Sequence, residues 1–414
     1  MATIKPFKAV RPFPEKAQDV AALPYDVYNR KEAAAAARGK LDSFLRVDRP
    51  ETTLDDRIKI NDPLVYETAR KNLEKLFYRN ALTQDTKDCL YIYELIMDGR
   101  SQVGLVVCTA IDEYLDNTIK KHELTRADKE ADRIKHVDAC DANTGPIFLT
   151  YRGQDSINVI VDQWRKENAP VYDFVSDDGI THRAWVIDDD SIINGLMDQF
   201  KHVESLYIAD GHHRSASAVK VGLMRREANP NYTGEEEFNY FLSVLFPDEQ
   251  LYIMDYNRVV KDLNGLTVDE FLKALSEKFA IEEHGIEAVK PDKKGCFGLY
   301  LDDKWYLLTV KEGVYDADDP VNSLDVAILQ NNVLVPVLGI GDIRTDERID
   351  FVGGIRGLKE LECRVHDDMM LAFSMHPTSI EELMNIADAD LLMPPKSTWF
   401  EPKLRSGLFI HKLS

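Results

Sequence analysis

The run Leu206-Tyr207-Ile208-Ala209-Asp210-Gly211-His212-His213-Arg214 constrains this chain more than any other stretch. Four apolar residues suited to a buried strand stop at an aspartate and a glycine. A helix follows at once, with Ala216, Val219 and Leu223 on its apolar face. A strand that feeds straight into a helix is the unit of an α/β architecture. Gly211 permits a sharp turn, and Asp210 is placed to cap the first amides of the helix. The helix N-terminus offers N–H groups and the positive end of a dipole to an anion. His212, His213 and Arg214 add up to three cationic donors there, where an ordinary surface helix carries Asp or Glu. The bland alternative is that both histidines merely satisfy buried hydrogen bonds.

Other runs fill in the fold. The alanines at 33–37 predict a helix ending near Gly39. Asp62-Pro63 starts another, with Val65, Ala69, Leu73, Leu76 and Phe77 spaced to face a core. Two β-rich runs, 90–96 and 103–111, flank Asp98-Gly99 as a hairpin. Residues 121–150 read as a polar segment leading into Ile147-Phe148-Leu149. Strands over 184–187 and 206–209 bracket a helix near 192–200. After Leu263-Asn264-Gly265 come a helix over 267–279, strands 296–301 and 305–310 joined at Asp302-Asp303, a helix over 324–334, and strands near 350–352, 370–373 and 407–410. Hairpins among βα units predict an α/β fold with α+β tendency and a mixed sheet, divided into regions 1–262 and 263–414.

Composition limits the partners. The net charge is −21, from 72 acidic and 51 basic residues, and such a field repels DNA and RNA backbones. An anionic substrate therefore needs a local basic pocket. Five scattered cysteines, never spaced CxxC, argue against a disulfide framework and a thiolate zinc site. No apolar run approaches the ~18 residues of a membrane helix, and no signal peptide is evident, so the expected location is the cytoplasm without membrane attachment.

Two further basic constellations stand out. His122-Glu123-Leu124-Thr125 is followed by Asp132-Arg133, but HExxH would need histidine where Arg126 stands, so a zinc protease is excluded. Adjacent histidines such as His212 and His213 point about 100° apart on a helix, which disfavours one shared metal ion. The second run, Met393-Pro394-Pro395-Lys396-Ser397-Thr398, sets one charge beside two hydroxyls, a combination suited to phosphate oxygens, with Lys403 close behind. It lacks the glycines of a Walker A loop. Gly339-Ile340-Gly341 and Gly353-Gly354-Ile355-Arg356-Gly357 do not complete a dinucleotide fingerprint.

Taken in order, RPFP at Arg11, PYDVY at Pro24, HELT with DR at Asp132, NTGPIF at Asn143, ADGHHR at Ala209, LDVAILQ at Leu324 and MPPKSTWFEPKLRSGL at Met393 resemble the domain of unknown function 1015 family across essentially the whole chain. One departure is Asn257-Arg258, where the family often has histidine before arginine. The DGHHR turn is also similar to the core motif of the ParB/sulfiredoxin superfamily, which includes free-serine kinases. That resemblance implies a ParB/sulfiredoxin-like core and a second α/β region, with a nucleotide's phosphates on the turn and a small hydroxyl substrate beside them. Sulfiredoxin chemistry needs a cysteine where this chain has His212, and ParB-type DNA binding needs a basic surface that this chain lacks.

The expectation is phosphoryl transfer from ATP or ADP, with Mg2+, to a small-metabolite hydroxyl such as free serine. Asp210 or Glu123 would orient or deprotonate the acceptor. Gly211, His212, His213, Arg214, His122, Thr125, Arg133, Lys396, Ser397, Thr398 and Lys403 would form the phosphate clamp. The alternatives are a hydrolase of a phosphorylated or acylated small molecule, with histidine as general base, and a nucleotide sensor without catalysis.

Overall fold

A computed structural model describes all 414 residues. The chain forms two compact units, Met1–Lys121 with Thr125–Leu251 and Pro402–Ser414, and His122–Leu124 with Tyr252–Glu401. The change of unit falls at Leu251–Tyr252, ahead of the Leu263-Asn264-Gly265 turn. The last residues return to the first unit, so a single cut near 262 misses both features.

The first unit is built on a nine-stranded mixed sheet. Its strands run in the order Ile119–Lys120, Leu206–Asp210, Ile147–Tyr151, Tyr240–Pro247, Arg100–Ala110, Leu90–Met97, Thr181–Ile187 and Tyr172–Val175, with Ile4–Lys5 also paired to Arg100–Ala110. Leu90–Met97 and Arg100–Ala110 are the expected hairpin, and Asp98 and Gly99 take the positive φ values that a tight turn requires. Tyr240–Pro247 pairs parallel to Ile147–Tyr151 and antiparallel to Arg100–Ala110, which makes the sheet mixed. Its apolar face buries Ile92, Leu105, Leu149, Ile208, Phe241 and Leu245 against Ile193, Leu196 and Phe200 of helix Asp190–Phe200. Helix Pro63–Tyr78 starts where Asp62 accepts the Leu64 amide at 2.9 Å. It buries Val65, Ala69, Leu73 and Leu76, while Phe77 stays exposed.

The stretch 121–150 holds a helix that its polar composition conceals, Ala127–Cys140. That helix buries Arg133 and His136 beside Val137 and Cys140, so hydropathy periodicity could not mark its inner face. The expected strand at 407–410 is displaced: the pairing falls at His411–Lys412 with Ala142–Asn143, plus a bridge from Ile410 to Val10.

The second unit carries an antiparallel six-stranded sheet, in the order Phe279–Gly285, Lys304–Val310, Cys296–Leu301, Leu371–Ser374, Tyr256–Val260 and Ile349–Gly353. Val259, Tyr300, Trp305, Leu361 and Ala372 form its core. The helix begun at Asp325 passes into a π-helical turn over Gln330–Leu334. All five cysteines are free thiols and four are buried. No helix is long and apolar enough to cross a membrane.

Candidate functional site

Strand Leu206–Asp210 lies between Ile119–Lys120, to which it is parallel, and Ile147–Tyr151, to which it is antiparallel, with a register shift between Ile208 and Asp210. The shift delivers Asp210 to the sheet end just where helix His212–Ala228 begins. Gly211 is the N-cap, at φ 97° and ψ 31°, in the left-handed region that side-chain-bearing residues avoid. A Cβ on Gly211 would also stand 3.2 Å from Arg214 Nε. Asp210 is therefore not the cap, and Gly211 at the N-cap position has no side chain to offer the first amides of this helix. The Asp210 carboxylate turns instead to Lys403, whose Nζ donates to Oδ2 at 3.0 Å.

The cations of the turn differ from what its residue types suggest. His213 Nε2 accepts the Arg126 amide at 3.0 Å, so that nitrogen carries no proton. Burial pushes the His212 imidazolium down to about 4, although Asp210 nearby works the other way. His212 is thus neutral rather than a cationic donor, and His213 acts as an acceptor through Nε2. The positive charge comes from Arg214 and Lys403. Burial alone would raise the Asp210 carboxyl, but Lys403 and Arg214 outweigh it and hold the group well below the usual carboxylate range.

Arg214 Nη1 donates to the Pro146 carbonyl at 2.6 Å, tying the turn to the Asn143–Pro146 loop. A cavity of about 30 Å³, roughly one water's volume, lies among Tyr25, Asp48, Arg133, His136, Thr144 and Arg214. Gly145 has no room for a side chain here, since a Cβ would sit 2.8 Å from Ser406 Oγ. Arg133 donates to Asp132 at 2.7 and 2.9 Å and stacks 4.2 Å from the Tyr25 ring centre, so its charge is answered by its own sequence neighbour. The Thr125 hydroxyl donates to Glu130 at 2.8 Å and tethers the start of helix Ala127–Cys140. Neither is the open phosphate donor that the sequence suggests.

The remaining candidates belong to the second unit. His122 is buried, and its carbonyl accepts the Met393 amide at 2.8 Å, which sets the start of the HELT run beside the start of the PPKST run. Glu123 and Thr398 are half-buried and Lys396 is exposed. Lys396 takes φ 63°, and its carbonyl accepts from Arg258 Nη2 at 2.9 Å. Ser397 is buried: its hydroxyl donates to the Pro394 carbonyl at 2.5 Å and its carbonyl accepts from Thr378 at 3.0 Å. That hydroxyl closes its own turn and is not a phosphate donor. Asn257 and Arg258 are likewise structural, Asn257 bonding Asp255 at 2.6 Å and the Met375 amide at 2.9 Å.

Sequence reasoning missed one polar cluster of the first unit. Arg405, 5% exposed, donates to Ser176 Oγ at 3.1 Å, to His182 Nε2 at 3.3 Å and to Asp178. Its only signal in the sequence is its place in the KLRSGL run.

Among solved structures, the chain is similar to a free serine kinase in complex with AMP, at 13% identity and a TM-score of 0.38, covering 74% of this chain and 91% of that one. SbnI with a C-terminal truncation, from Staphylococcus aureus, matches at 11% identity and a TM-score of 0.39, covering 72% and 82%. A conserved hypothetical protein from Pyrococcus furiosus matches at 14% identity and a TM-score of 0.36, covering 74% and 94%. No curated protein matches. The profile described as "Protein of unknown function (DUF1015)" matches residues 4–327, and the chain belongs to that family.

Proposed function

We propose that the Gly211 turn binds the phosphates of ATP or ADP and that the protein transfers a phosphoryl group to a small-metabolite hydroxyl, free serine being the first candidate. The observation that carries this reading is the Asp210 carboxylate, kept ionised by Lys403 and Arg214, at a helix start whose N-cap is a glycine. Phosphoryl transfer asks chiefly for positioning and charge neutralisation, and its loose transition state asks little of a base. Arg214 and the first-turn amides supply the cradle. Gly211 lets the backbone approach the phosphates.

The donor set fits Mg2+ as well. Asp210 stays ionised and Lys403 occupies Oδ2, which leaves Oδ1 as a hard oxygen ligand of the kind Mg2+ accepts together with phosphate oxygens. The ion would neutralise charge developing on the phosphates. Asp210, so strongly held as a carboxylate, has too little proton affinity to act as general base and serves to orient. His212 is neutral at pH 7 and is able to receive a proton.

The test incubates purified protein with ATP or ADP, Mg2+ and serine, with phosphoserine read by mass spectrometry. The expected product is phosphoserine, lost in Arg214→Ala. Donor turnover without acceptor would identify a hydrolase instead. Tight nucleotide binding with no turnover across a panel of small alcohols would identify a sensor.

A further inference from the structure

A cavity of about 580 Å³ in the first unit has no part in the site above. Its volume lies within the range of metabolite pockets. Lys40 and Leu41 stand exposed at its rim, Tyr28 and Ala36 line it, and Arg405 forms its buried end. We propose that this cavity is a second small-molecule site, independent of the Gly211 turn, that binds an organic monocarboxylate with an apolar body.

The carboxylates around the cavity already have cations. Asp178 takes Arg405, Asp177 takes Lys40 at 2.8 Å, and Asp42 takes Lys16 at 3.0 Å and Arg79 at 3.2 Å. What remains is on the donor side. Arg405 donates through Nε and Nη2, and its Nη1 makes no hydrogen bond. The Tyr28 hydroxyl makes none either. Burial pushes that phenol up, so it stays protonated and able to donate.

Arg405 is also held in place from behind. His182 is fully buried and accepts from Arg405 Nε, with its other nitrogen on Tyr93 at 2.8 Å. Burial and the neighbouring Arg405 push its imidazolium down to about 3, so it remains a neutral acceptor. The Arg405 charge is answered by Asp178, so what Arg405 presents to the cavity is one fixed, open N–H edge able to donate to a carboxylate. The charge balance sets the ligand's valence. With Lys16, which pairs with Asp42 and Asp19, the cations Lys40, Arg79 and Arg405 balance Asp19, Asp42, Asp177 and Asp178, so one ligand carboxylate adds a single negative charge where a polyphosphate would add several. Leu41 and Leu45 give its body an apolar wall.

The test titrates benzoate and hexanoate into the full-length protein, followed by saturation-transfer NMR, with benzamide and hexanamide as neutral controls. Both acids are expected to bind and both amides to bind at least about tenfold more weakly, as befits loss of a charge-assisted hydrogen bond. Ala36→Trp, which fills the cavity from an exposed helix, should abolish binding, and Tyr28→Phe should weaken it several-fold. Arg214→Ala should leave it unchanged. Acids that do not bind the folded wild type, that bind no better than the amides, or that still bind Ala36→Trp would overturn the proposal. Loss in Arg214→Ala would place the acids at the Gly211 turn and overturn it too. Inorganic phosphate competing with benzoate in the Arg214→Ala protein would overturn the assigned ligand class. None of these outcomes depends on whether the Gly211 turn binds nucleotide.

Discussion

The Asp210 turn and the Pro394–Thr398 run each set a cation beside polar side chains, yet their polar groups go to different places. In the first, the helix N-cap is a glycine and two cations stabilise one carboxylate. In the second, Ser397 closes onto Pro394, Thr378 donates to Ser397, and Arg258 clamps the Lys396 carbonyl. The first sets Arg214 and the Gly211 backbone at a helix start, while in the second the Ser397 hydroxyl and the Lys396 and Ser397 carbonyls are taken up by partners in the same unit. A hydroxyl or a cation counts toward a binding site only after its local partners have been counted.

Backbone conformation gives the sharpest way to break this comparison. Gly211→Val puts a β-branched side chain at φ 97° and against Arg214, which should abolish nucleotide binding and cost about 1–3 kcal/mol of stability. Calorimetric titration with ADP and thermal melting together measure both effects. Retained affinity would show that the turn is only a connection.

The two units should also respond oppositely to pH. His212 in the first has a folded value of about 4, below its ordinary 6.5, so the unfolded chain binds the extra proton and stability falls as pH drops from 6.5 toward 4. Asp325 in the second accepts the Gly295 amide at 2.8 Å, and burial pushes it up to about 7 from 3.8. Here the unfolded chain loses its proton first, and stability falls as pH rises from about 4 to 7. The contributions reach about 3 kcal/mol for His212 and about 4 kcal/mol for Asp325. Denaturant melts of His212→Gln and Asp325→Asn across pH 4–7 should remove slopes of opposite sign. Slopes of the same sign would contradict the assigned environments.

Side-chain truncation sharpens the contrast further. Arg214→Ala should weaken ADP binding by roughly tenfold to a hundredfold, the range for a charge-assisted hydrogen bond, with the overall fold retained. Ser397→Ala should leave ADP affinity unchanged and lower stability by about 1 kcal/mol, as loss of one buried hydrogen bond predicts. The smallest effect is expected at Lys396, where glycine suits φ 63° better than lysine. Lys396→Gly should stabilise the protein by up to about 1 kcal/mol, and a loss would mean that the side chain, 5.8 Å from the Tyr256 ring centre, contributes more than the strain costs.

What the sequence revealed follows from how local each signal is. The Asp98-Gly99 hairpin, the Asp62-Pro63 helix start and the Leu206–Arg214 junction are written in adjacent residues, and each stands where expected. Helix Ala127–Cys140 was hidden because part of its inner face is Arg133 and His136. Protonation states were hidden because they depend on burial and on partners such as Lys403 and Arg126, distant in the chain. The Arg405 cavity was hidden because residues 18–45, 176–178 and 405 meet only through the fold.

The direct test of the central claim is a crystal structure of the protein with ADP and Mg2+. The account predicts phosphate oxygens within hydrogen-bonding distance of the amides that follow Gly211 and of the Arg214 guanidinium. A nucleotide bound with its phosphates away from that turn, and with Arg214 still bonded only to the Pro146 carbonyl, would contradict it.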